Sequence, residues 1–259
     1  MIELTREGRL ARITIRRPEK KNAFTQAMWR ALLQACTELA QACVSPTDSA
    51  PRALLLQGSG GAFCAGADIE ELAGMVRDPA AMAANNAVVS QAQQALAALP
   101  MPTLAVVDGP CFGGGFGLAA ACDFRLASTR SLFAVTPARL GLLYSVEDTR
   151  RLLALLGLQR TRRLVLRGER LDAATALAWG AVDAVIESPA LPDTAQAWAE
   201  ELAAQSPTSM AGIKATLGWL GGQATHTEAQ VRTSFDAAFA GPDFAEGAAA
   251  FLQRRAPFF

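Results

Sequence analysis

The sequence has a single histidine, His226, and no pair of cysteines separated by two residues. Its five cysteines are an odd number, so we expect neither a disulfide framework nor a metal site. Basic and acidic residues each number 24, which gives a net charge of zero. A neutral chain has no overall field that attracts nucleic acid. We therefore expect no nucleic-acid partner. Because no disulfide framework is expected, we also expect a reducing compartment, the cytoplasm.

Long apolar runs are also missing. No stretch approaches the ~20 apolar residues that a helix needs to cross a bilayer. The first residues, MIEL, lack the basic start and apolar core of a signal peptide. We expect no membrane partner. Hydrophobic residues nevertheless make up 51% of the 259 residues, which can supply the core of one large domain or of a domain with an appendage.

Two glycine-rich stretches each follow a short apolar run and precede a predicted helix. They are residues 58–68 (GSGGAFCAGAD), where Asp68 is predicted to cap the helix, and residues 108–117 (DGPCFGGGFG). Neither has the spacing of a dinucleotide site or the Gly-Lys-Ser/Thr ending of a phosphate loop. Amides at a helix start lack intrahelical partners, and the helix dipole favours negative charge there. The pair could present two N–H donors to one carbonyl oxygen, as in an oxyanion hole.

Both stretches resemble the crotonase superfamily, also called the enoyl-CoA hydratase/isomerase superfamily. The similarity extends to residues 17–24 (RPEKKNAF) and 250–259 (AFLQRRAPFF), so it covers nearly the whole chain. It implies that the amides of Ala67 and Gly114 form an oxyanion hole for the thioester of an acyl-CoA substrate. Coenzyme A would then be part of the substrate, with no tightly bound cofactor.

The resemblance also implies where coenzyme A binds. Positively charged side chains near its phosphates are physically reasonable. The implied positions are Lys20 and Lys21 near the phosphates, Ala65 and Ile69 beside the adenine, and Phe235 and Arg254 from a neighbouring subunit.

Strands and helices alternate up to about residue 190 and helices follow, which predicts an α/β core with a helical appendage. The resemblance implies a crotonase-type spiral of repeated ββα units over residues 1–195. Residues 196–259 would form a C-terminal helical region that assembles homotrimers, or hexamers made of two trimers.

Turn residues and apolar periodicity also predict individual elements. We expect a β-hairpin over residues 2–16, a loop over residues 44–52, and a helix from Asp78-Pro79 to Ala98. From Asp193 onward we expect helices, with breaks at Ser206-Pro207, Gly221-Gly222 and Gly241-Pro242. A helix over residues 147–156 should turn four leucines inward, namely Leu152, Leu153, Leu155 and Leu156.

Hydratases of the crotonase superfamily carry two catalytic glutamates, and the resemblance maps their positions onto Gly117 and Pro137. A well-placed proton-transfer group contributes roughly 100-fold to 10,000-fold to rate, so ordinary hydration and single-glutamate isomerisation are both expected to be slow. Glu147 and Asp148 follow in a first helical turn. We interpret them as residues that stabilise the helix dipole.

Tyr144, the only tyrosine, offers a substitute. Residues 136–144 (TPARLGLLY) resemble the methylmalonyl-CoA decarboxylase branch, whose active site includes a tyrosine, although that branch has histidine where Ala67 stands and glutamate where Gly117 stands. The structural alternative is a packed tyrosine whose hydroxyl binds a backbone carbonyl.

Three functions stay open. The preferred one is a hydratase/isomerase-type enzyme that stabilises a thioester enolate, and the others are a decarboxylase of a malonyl-type CoA and a non-catalytic acyl-CoA binder.

Overall fold

The computed structural model describes residues 1–44, 50–222 and 225–259. The predicted loop at 44–52 therefore lies largely outside the described residues. The described strands are β1 Ile2–Glu7, β2 Leu10–Ile15, β3 Ala53–Gly58, β4 Thr103–Val107, β5 Pro110–Phe112, β6 Phe124–Ser128, β7 Leu132–Ala134, β8 Arg170–Asp172 and β9 Ala184–Ile186. The described α-helices are α1 Gln26–Val44, α2 Ile69–Met75, α3 Pro79–Ala97, α4 Gly114–Ala121, α5 Val146–Arg167, α6 Ala173–Trp179, α7 Leu191–Ala203, α8 Pro207–Leu220, α9 Glu228–Ala238 and α10 Pro242–Gln253.

The strands form two sheets. The larger sheet has the order β1-β2-β3-β4-β6-β9, and only its opening hairpin, β1 with β2, is antiparallel. The smaller sheet has the order β5-β7-β8. A single bridge between Cys64 and Cys111 extends the smaller sheet towards the loop after β3. The chain thus visits the large sheet, then the small sheet, then a helix, in successive turns of a spiral.

The core lies on both faces of the large sheet, because successive strand residues point to opposite sides. In β3, Leu54 and Leu56 belong to the main hydrophobic cluster, which also contains Phe63 and Phe116. Leu55, between them, belongs to a second cluster that α7 covers. The continuous apolar run of β3 follows from this burial on both faces.

Most element predictions are confirmed. The hairpin is present, α3 begins after Asp78, and the last four helices are separated at the Ser-Pro, Gly-Gly and Gly-Pro positions in the sequence. The predicted helix over residues 147–156 is confirmed as the first part of α5, since Gly157, with a φ of 72°, is non-helical and separates it from a second part that ends at Arg167. The prediction that all four leucines point inward was wrong, because Leu153 is 42% exposed whereas Leu152 is buried.

The predicted division after residue 195 falls inside α7, whose Ala195 and Ala199 both pack against the large sheet. The first helix of the predicted C-terminal region therefore contributes to the core, and α8 to α10 follow it. No helix among the described residues combines the length and the apolar character needed to cross a membrane.

Candidate functional site

The two glycine-rich corners lie side by side. The Phe112 amide donates to the Cys64 carbonyl at 2.9 Å, and the Cys64 amide donates to the Pro110 carbonyl at 3.0 Å. The second corner is also tied to the small sheet, since the Gly113 amide donates to Ala134 at 2.8 Å. These backbone bonds place the loop before α2 against the start of α4.

The two corners are also in contact at Gly66, which has a φ of 103°. A methyl group added to its Cα would lie 3.6 Å from the Gly114 nitrogen and 3.0 Å from the Phe112 carbonyl oxygen. This conformation is one that residues with a side chain rarely adopt. The glycine therefore allows Ala67, which follows it, to sit next to the start of α4.

The amides of Ala67 and Gly114 have no hydrogen-bond acceptor within the described residues. Gly114 is the first residue of α4, where an intrahelical acceptor cannot exist. Both residues are partly exposed, so a ligand can approach them. Two free N–H donors on adjacent segments, one of them at a helix N-terminus, can donate to an oxygen that carries negative charge.

The backbone around Phe24 holds the first corner in place. Its amide donates to the Gly66 carbonyl and its carbonyl accepts from the Asp68 amide, each at 2.8 Å. The Ala67 amide lies between these two bonds in sequence and takes part in neither. The bond pattern thus fixes the corner while leaving one donor free.

Asp68 caps α2, as predicted. Its Oδ1 accepts from the Glu71 amide at 3.1 Å, and its Oδ2 lies 2.6 Å from Arg17 Nη1. The Glu71 amide, followed by the Arg17 guanidinium, holds the pKa of the Asp68 carboxyl below its ordinary value. The carboxylate therefore stays charged and anchors the corner to the turn at residues 18–20.

Four of the residues predicted to contact coenzyme A lie near this corner. The Ala65 amide donates to the Lys21 carbonyl at 2.9 Å. Lys20 forms an exposed ion pair with Glu70, with Nζ and Oε1 2.8 Å apart, and Ile69 is the first residue of α2. The structure thus brings Lys20, Lys21, Ala65 and Ile69 into one neighbourhood.

The other two predicted positions lie in the C-terminal helices. Phe235 is on α9, 65% exposed, and lines a groove of about 760 Å³ between α8 and α9. Arg254 is exposed and ends α10 in a left-handed conformation with a φ of 54°. No contact within the described part of this chain joins either residue to the first group. His226, on the exposed segment before α9, contacts the Thr225 hydroxyl at 3.3 Å.

Tyr144 reaches the second corner. Its hydroxyl donates to the carbonyl of Gly113 at 3.1 Å, and its side chain is half-buried against the main core. Burial raises the pKa of the hydroxyl well above its ordinary value, and the nearby Asp148 charge raises it further. The bond is the one expected for a packed tyrosine, and its acceptor belongs to the peptide unit whose N–H is the Gly114 amide.

Gly117 and Pro137 have no ionisable side chain, yet a carboxylate does lie at Gly117. It belongs to Asp148, which is 3% exposed. A methyl group at Gly117 would lie 2.4 Å from Asp148 Oδ1. Asp148 does lie in the first turn of α5, as the dipole interpretation requires, but its carboxylate is also buried, because this turn packs against α4. Glu147, its neighbour, is partly exposed.

The thiols near the two corners are not suited to act as nucleophiles. Burial raises the pKa of the Cys64 thiol to about 12 and that of the Cys111 thiol well above its ordinary value. A thiol attacks as the thiolate, which such pKa values suppress. Among the described residues no group of three or more histidine, cysteine, aspartate or glutamate side chains could hold a metal ion.

We predict that only one thiol of the folded protein reacts readily with Ellman's reagent near pH 8. Cys43 is half-buried, whereas the other four cysteines are buried. All five should react in denaturant. Absorbance of the released product counts the fast thiols, and a Cys43→Ser variant should have none. Fast labelling of Cys64 or Cys111 would contradict this prediction.

A spiral of strand, strand and helix that ends in a helical region, with two amide-bearing corners in contact, defines the crotonase class of fold. The family model "Enoyl-CoA hydratase/isomerase" matches residues 5–259. The chain belongs to the enoyl-CoA hydratase/isomerase family, as the sequence resemblance implied.

Individual relatives also support membership of this family. Probable enoyl-CoA hydratase echA6 of Mycobacterium tuberculosis is 32% identical over 259 residues, which is 100% of this chain and 99% of the relative. The 1,2-epoxyphenylacetyl-CoA isomerase of Escherichia coli is 30% identical over 95% of this chain and 93% of its own. A solved structure of an enoyl-CoA hydratase/isomerase family protein from Hyphomonas neptunium is 35% identical, with a TM-score of 0.90 and coverage of 100% and 97%.

Proposed function

We propose that this protein is an acyl-CoA thioester enzyme in which the thioester oxygen accepts hydrogen bonds from the amides of Ala67 and Gly114. The observation that carries the proposal is the contact between Gly66 and the start of α4, where both amides lack an acceptor among the described residues. Fixed donors of this kind stabilise the negative charge that develops on the oxygen when an enolate forms.

The relatives support the substrate class, because those named above include a hydratase and an isomerase of CoA thioesters. In our proposal Lys20 and Lys21 lie near the phosphates of coenzyme A, and Ala65 and Ile69 lie beside its adenine. No tightly bound cofactor is needed for enolate formation. The proton-transfer step must use a group other than residues 117 and 137.

Two further positions implied to contact coenzyme A, Phe235 and Arg254, support a proposal about the assembly of subunits. Phe235 lies on α9 and Arg254 ends α10, and both side chains are exposed. In a homotrimer, or a hexamer of two trimers, they could reach the nucleotide of a neighbouring subunit. Sedimentation velocity measures the assembly directly, and a monomer with full activity would exclude this contribution.

Acetoacetyl-CoA tests the proposed oxyanion site, because it ionises readily to an enolate. We expect it to bind at least 10-fold more tightly than butanoyl-CoA, which shares the nucleotide and chain length but ionises poorly. Isothermal titration of both ligands gives the two affinities. Equal affinities would contradict enolate stabilisation, whereas weak binding of both would contradict the acyl-CoA site itself.

Tyr144 favours a second candidate function, the decarboxylation of a malonyl-type CoA. Loss of carbon dioxide leaves an enolate directly, so it needs an oxyanion site and less proton transfer at the start. The Tyr144 hydroxyl donates at 3.1 Å to the Gly113 carbonyl, which belongs to the same peptide unit as the Gly114 amide. Assays of crotonyl-CoA hydration, 3-enoyl-CoA isomerisation and methylmalonyl-CoA decarboxylation, performed in parallel, separate the two functions.

If decarboxylation is the reaction, Tyr144→Phe is expected to lower its rate by at least about 10-fold, since the substitution removes the phenolic hydroxyl and keeps the ring in the core. A hydratase or isomerase should change by only a few-fold. The measurement is the initial rate of the variant on each of the three substrates. Decarboxylation that is unaffected by the substitution would reject the role of Tyr144.

A further inference from the structure

The place beside Gly117, one turn of α4 after Gly114, is filled by a carboxylate from another helix. A methyl group on Gly117 would lie 2.4 Å from Asp148 Oδ1 and 2.7 Å from its Oδ2. These distances are shorter than any real contact, so the Asp148 carboxylate occupies the space in which a side chain at position 117 would begin. The missing side chain on α4 and the buried carboxylate on α5 are complementary.

The Asp148 carboxylate is held by neighbours on two helices. Gln93 Nε2, from α3, donates to Oδ2 at 3.2 Å, and Arg151 Nη1 donates to Oδ1 at 3.0 Å. Arg151 Nη1 also donates to Gln93 Oε1 at 3.2 Å, which closes a ring of three side chains. Charged side chains are rarely buried without such partners. The partners fix the direction in which the carboxylate points.

Asp148 is also close to the proposed oxyanion site. It lies against Gly117, whose amide donates at 3.1 Å to the Gly113 carbonyl, and this carbonyl also accepts the Tyr144 hydroxyl. The carboxylate and the Gly114 amide therefore flank one end of α4, about one helical turn apart. An acid–base group and a fixed amide donor at this separation can act on one small reacting group.

We propose that the carboxylate of Asp148 is the proton-transferring group of the acyl-CoA site and takes the place of a side chain at position 117. The inference rests on the proposed function. Asp148 removes a proton from the α-carbon of the thioester, so that the C–H bond breaks and an O–H bond forms. The electron pair moves onto the thioester oxygen as an enolate. The protonated carboxyl then returns the proton to carbon as the carbonyl re-forms.

The environment of Asp148 is suited to proton transfer. Burial raises the pKa of its carboxyl, and Arg151, followed by Gln93 and Ser145, partly offsets the rise. A carboxyl with a raised pKa is a stronger base when ionised. The alternative is a purely structural ion pair with Arg151, which is only 13% exposed at its side chain. The two roles differ in their effects on rate and on its pH dependence.

The first test is Asp148→Asn, which keeps the size and an acceptor oxygen but cannot take the proton. We expect kcat for the most active thioester of the three-substrate panel to fall about 100-fold to 10,000-fold. Acetoacetyl-CoA affinity should change by only a few-fold. Glu147→Gln is the matched control, since it removes a neighbouring carboxylate from the same helical turn, and it should leave kcat unchanged. An Asp148→Asn enzyme with wild-type kcat would overturn the proposal.

The pH profile distinguishes a base from a structural ion pair. Activity should fall as the pH drops through the pKa of Asp148, because the carboxylate is the reactive form. The ionisable groups that face it are Arg151 on its own helix and Tyr144 from the preceding loop, while α3 contributes neutral Gln93 and α4 contributes Gly117. Arg151→Gln removes the charge that lowers this pKa, so the acid limb should move to higher pH. If the acid limb of the profile stays at the same pH in Arg151→Gln, the role of Asp148 as the base is contradicted.

A transposed carboxylate provides the second test, which applies even if Asp148→Asn folds poorly. Gly117→Glu alone should fold badly, because its side chain overlaps Asp148. The double variant Gly117→Glu/Asp148→Gly moves the carboxylate from α5 to α4 and should be at least 10-fold faster than Asp148→Asn or Asp148→Gly. A folded double variant with no gain in rate would contradict the proposal.

The wild-type enzyme distinguishes this proposal from the proposed function. If it binds acetoacetyl-CoA tightly but converts none of the three substrates, the role of Asp148 is overturned while the acyl-CoA site stands. If it fails to bind acetoacetyl-CoA, the proposed function is rejected.

Discussion

Replacing Gly114 with proline is expected to lower the turnover of an acyl-CoA thioester by about 100-fold to 1,000-fold, the usual cost of removing one oxyanion donor. Proline has no N–H, and Gly114 is the first residue of α4. Proline is well tolerated at this helical position, because its fixed φ suits the helix and the missing N–H has no intrahelical acceptor. The substitution therefore deletes the proposed donor with little change to the fold.

Gly114→Ala is the matched control for this variant. A methyl group at this position would lie 3.6 Å from Trp29 Cζ2, which is an ordinary van der Waals contact. Alanine keeps the amide, so turnover should remain within a few-fold of wild type. Circular dichroism confirms that both variants are folded, and initial rates together with acetoacetyl-CoA titration give the effect. Proline and alanine variants of equal activity would show that this amide does not contact the reacting oxygen.

Replacing Gly115 with alanine should destabilise the protein by about 1–3 kcal/mol, as overpacked positions commonly do. Its added methyl group would lie 2.3 Å from the Cys64 carbonyl oxygen. That oxygen cannot move away easily, because it accepts the Phe112 amide at 2.9 Å. The strain must separate the two corners, so acetoacetyl-CoA affinity should fall together with stability.

Gly74→Ala is the comparison for this second variant. Gly74 is an exposed residue of α2, and a methyl group there would meet nothing within 4 Å. Alanine should raise the free energy of unfolding by about 0.5–1 kcal/mol, since it loses less backbone entropy than glycine on folding. Urea unfolding measures both variants. A Gly115→Ala protein as stable as wild type would mean that the corners are less tightly packed than the structure indicates.

The features that the sequence predicted well are local ones. Asp68 as a helix cap, the hairpin of β1 and β2, and the breaks among the last four helices each depend on a few adjacent residues. Capping oxygens, turn glycines and prolines act on the backbone within one turn of themselves. Such signals are readable without knowing what packs against them.

Features that depend on distant packing were missed or left open. Leu153 fits the apolar periodicity of α5 but is exposed, because the face that contacts α4 is set by the crossing of the helices. Asp148 has the sequence position of a dipole-stabilising residue, yet it is buried at Gly117, 31 residues earlier. No local pattern distinguishes the two environments, since a polar residue in a first helical turn is common in both.

The sequence by itself determined that the protein is a neutral chain with two glycine-rich helix starts and the family motifs that surround them. Those properties are written in composition and in short, contiguous stretches. Only the tertiary structure decided that Gly66 meets the start of α4 and that a carboxylate from α5 replaces the side chain absent at Gly117. Both depend on segments far apart in the chain, whose contact is set by the packing of helices and sheets around the core.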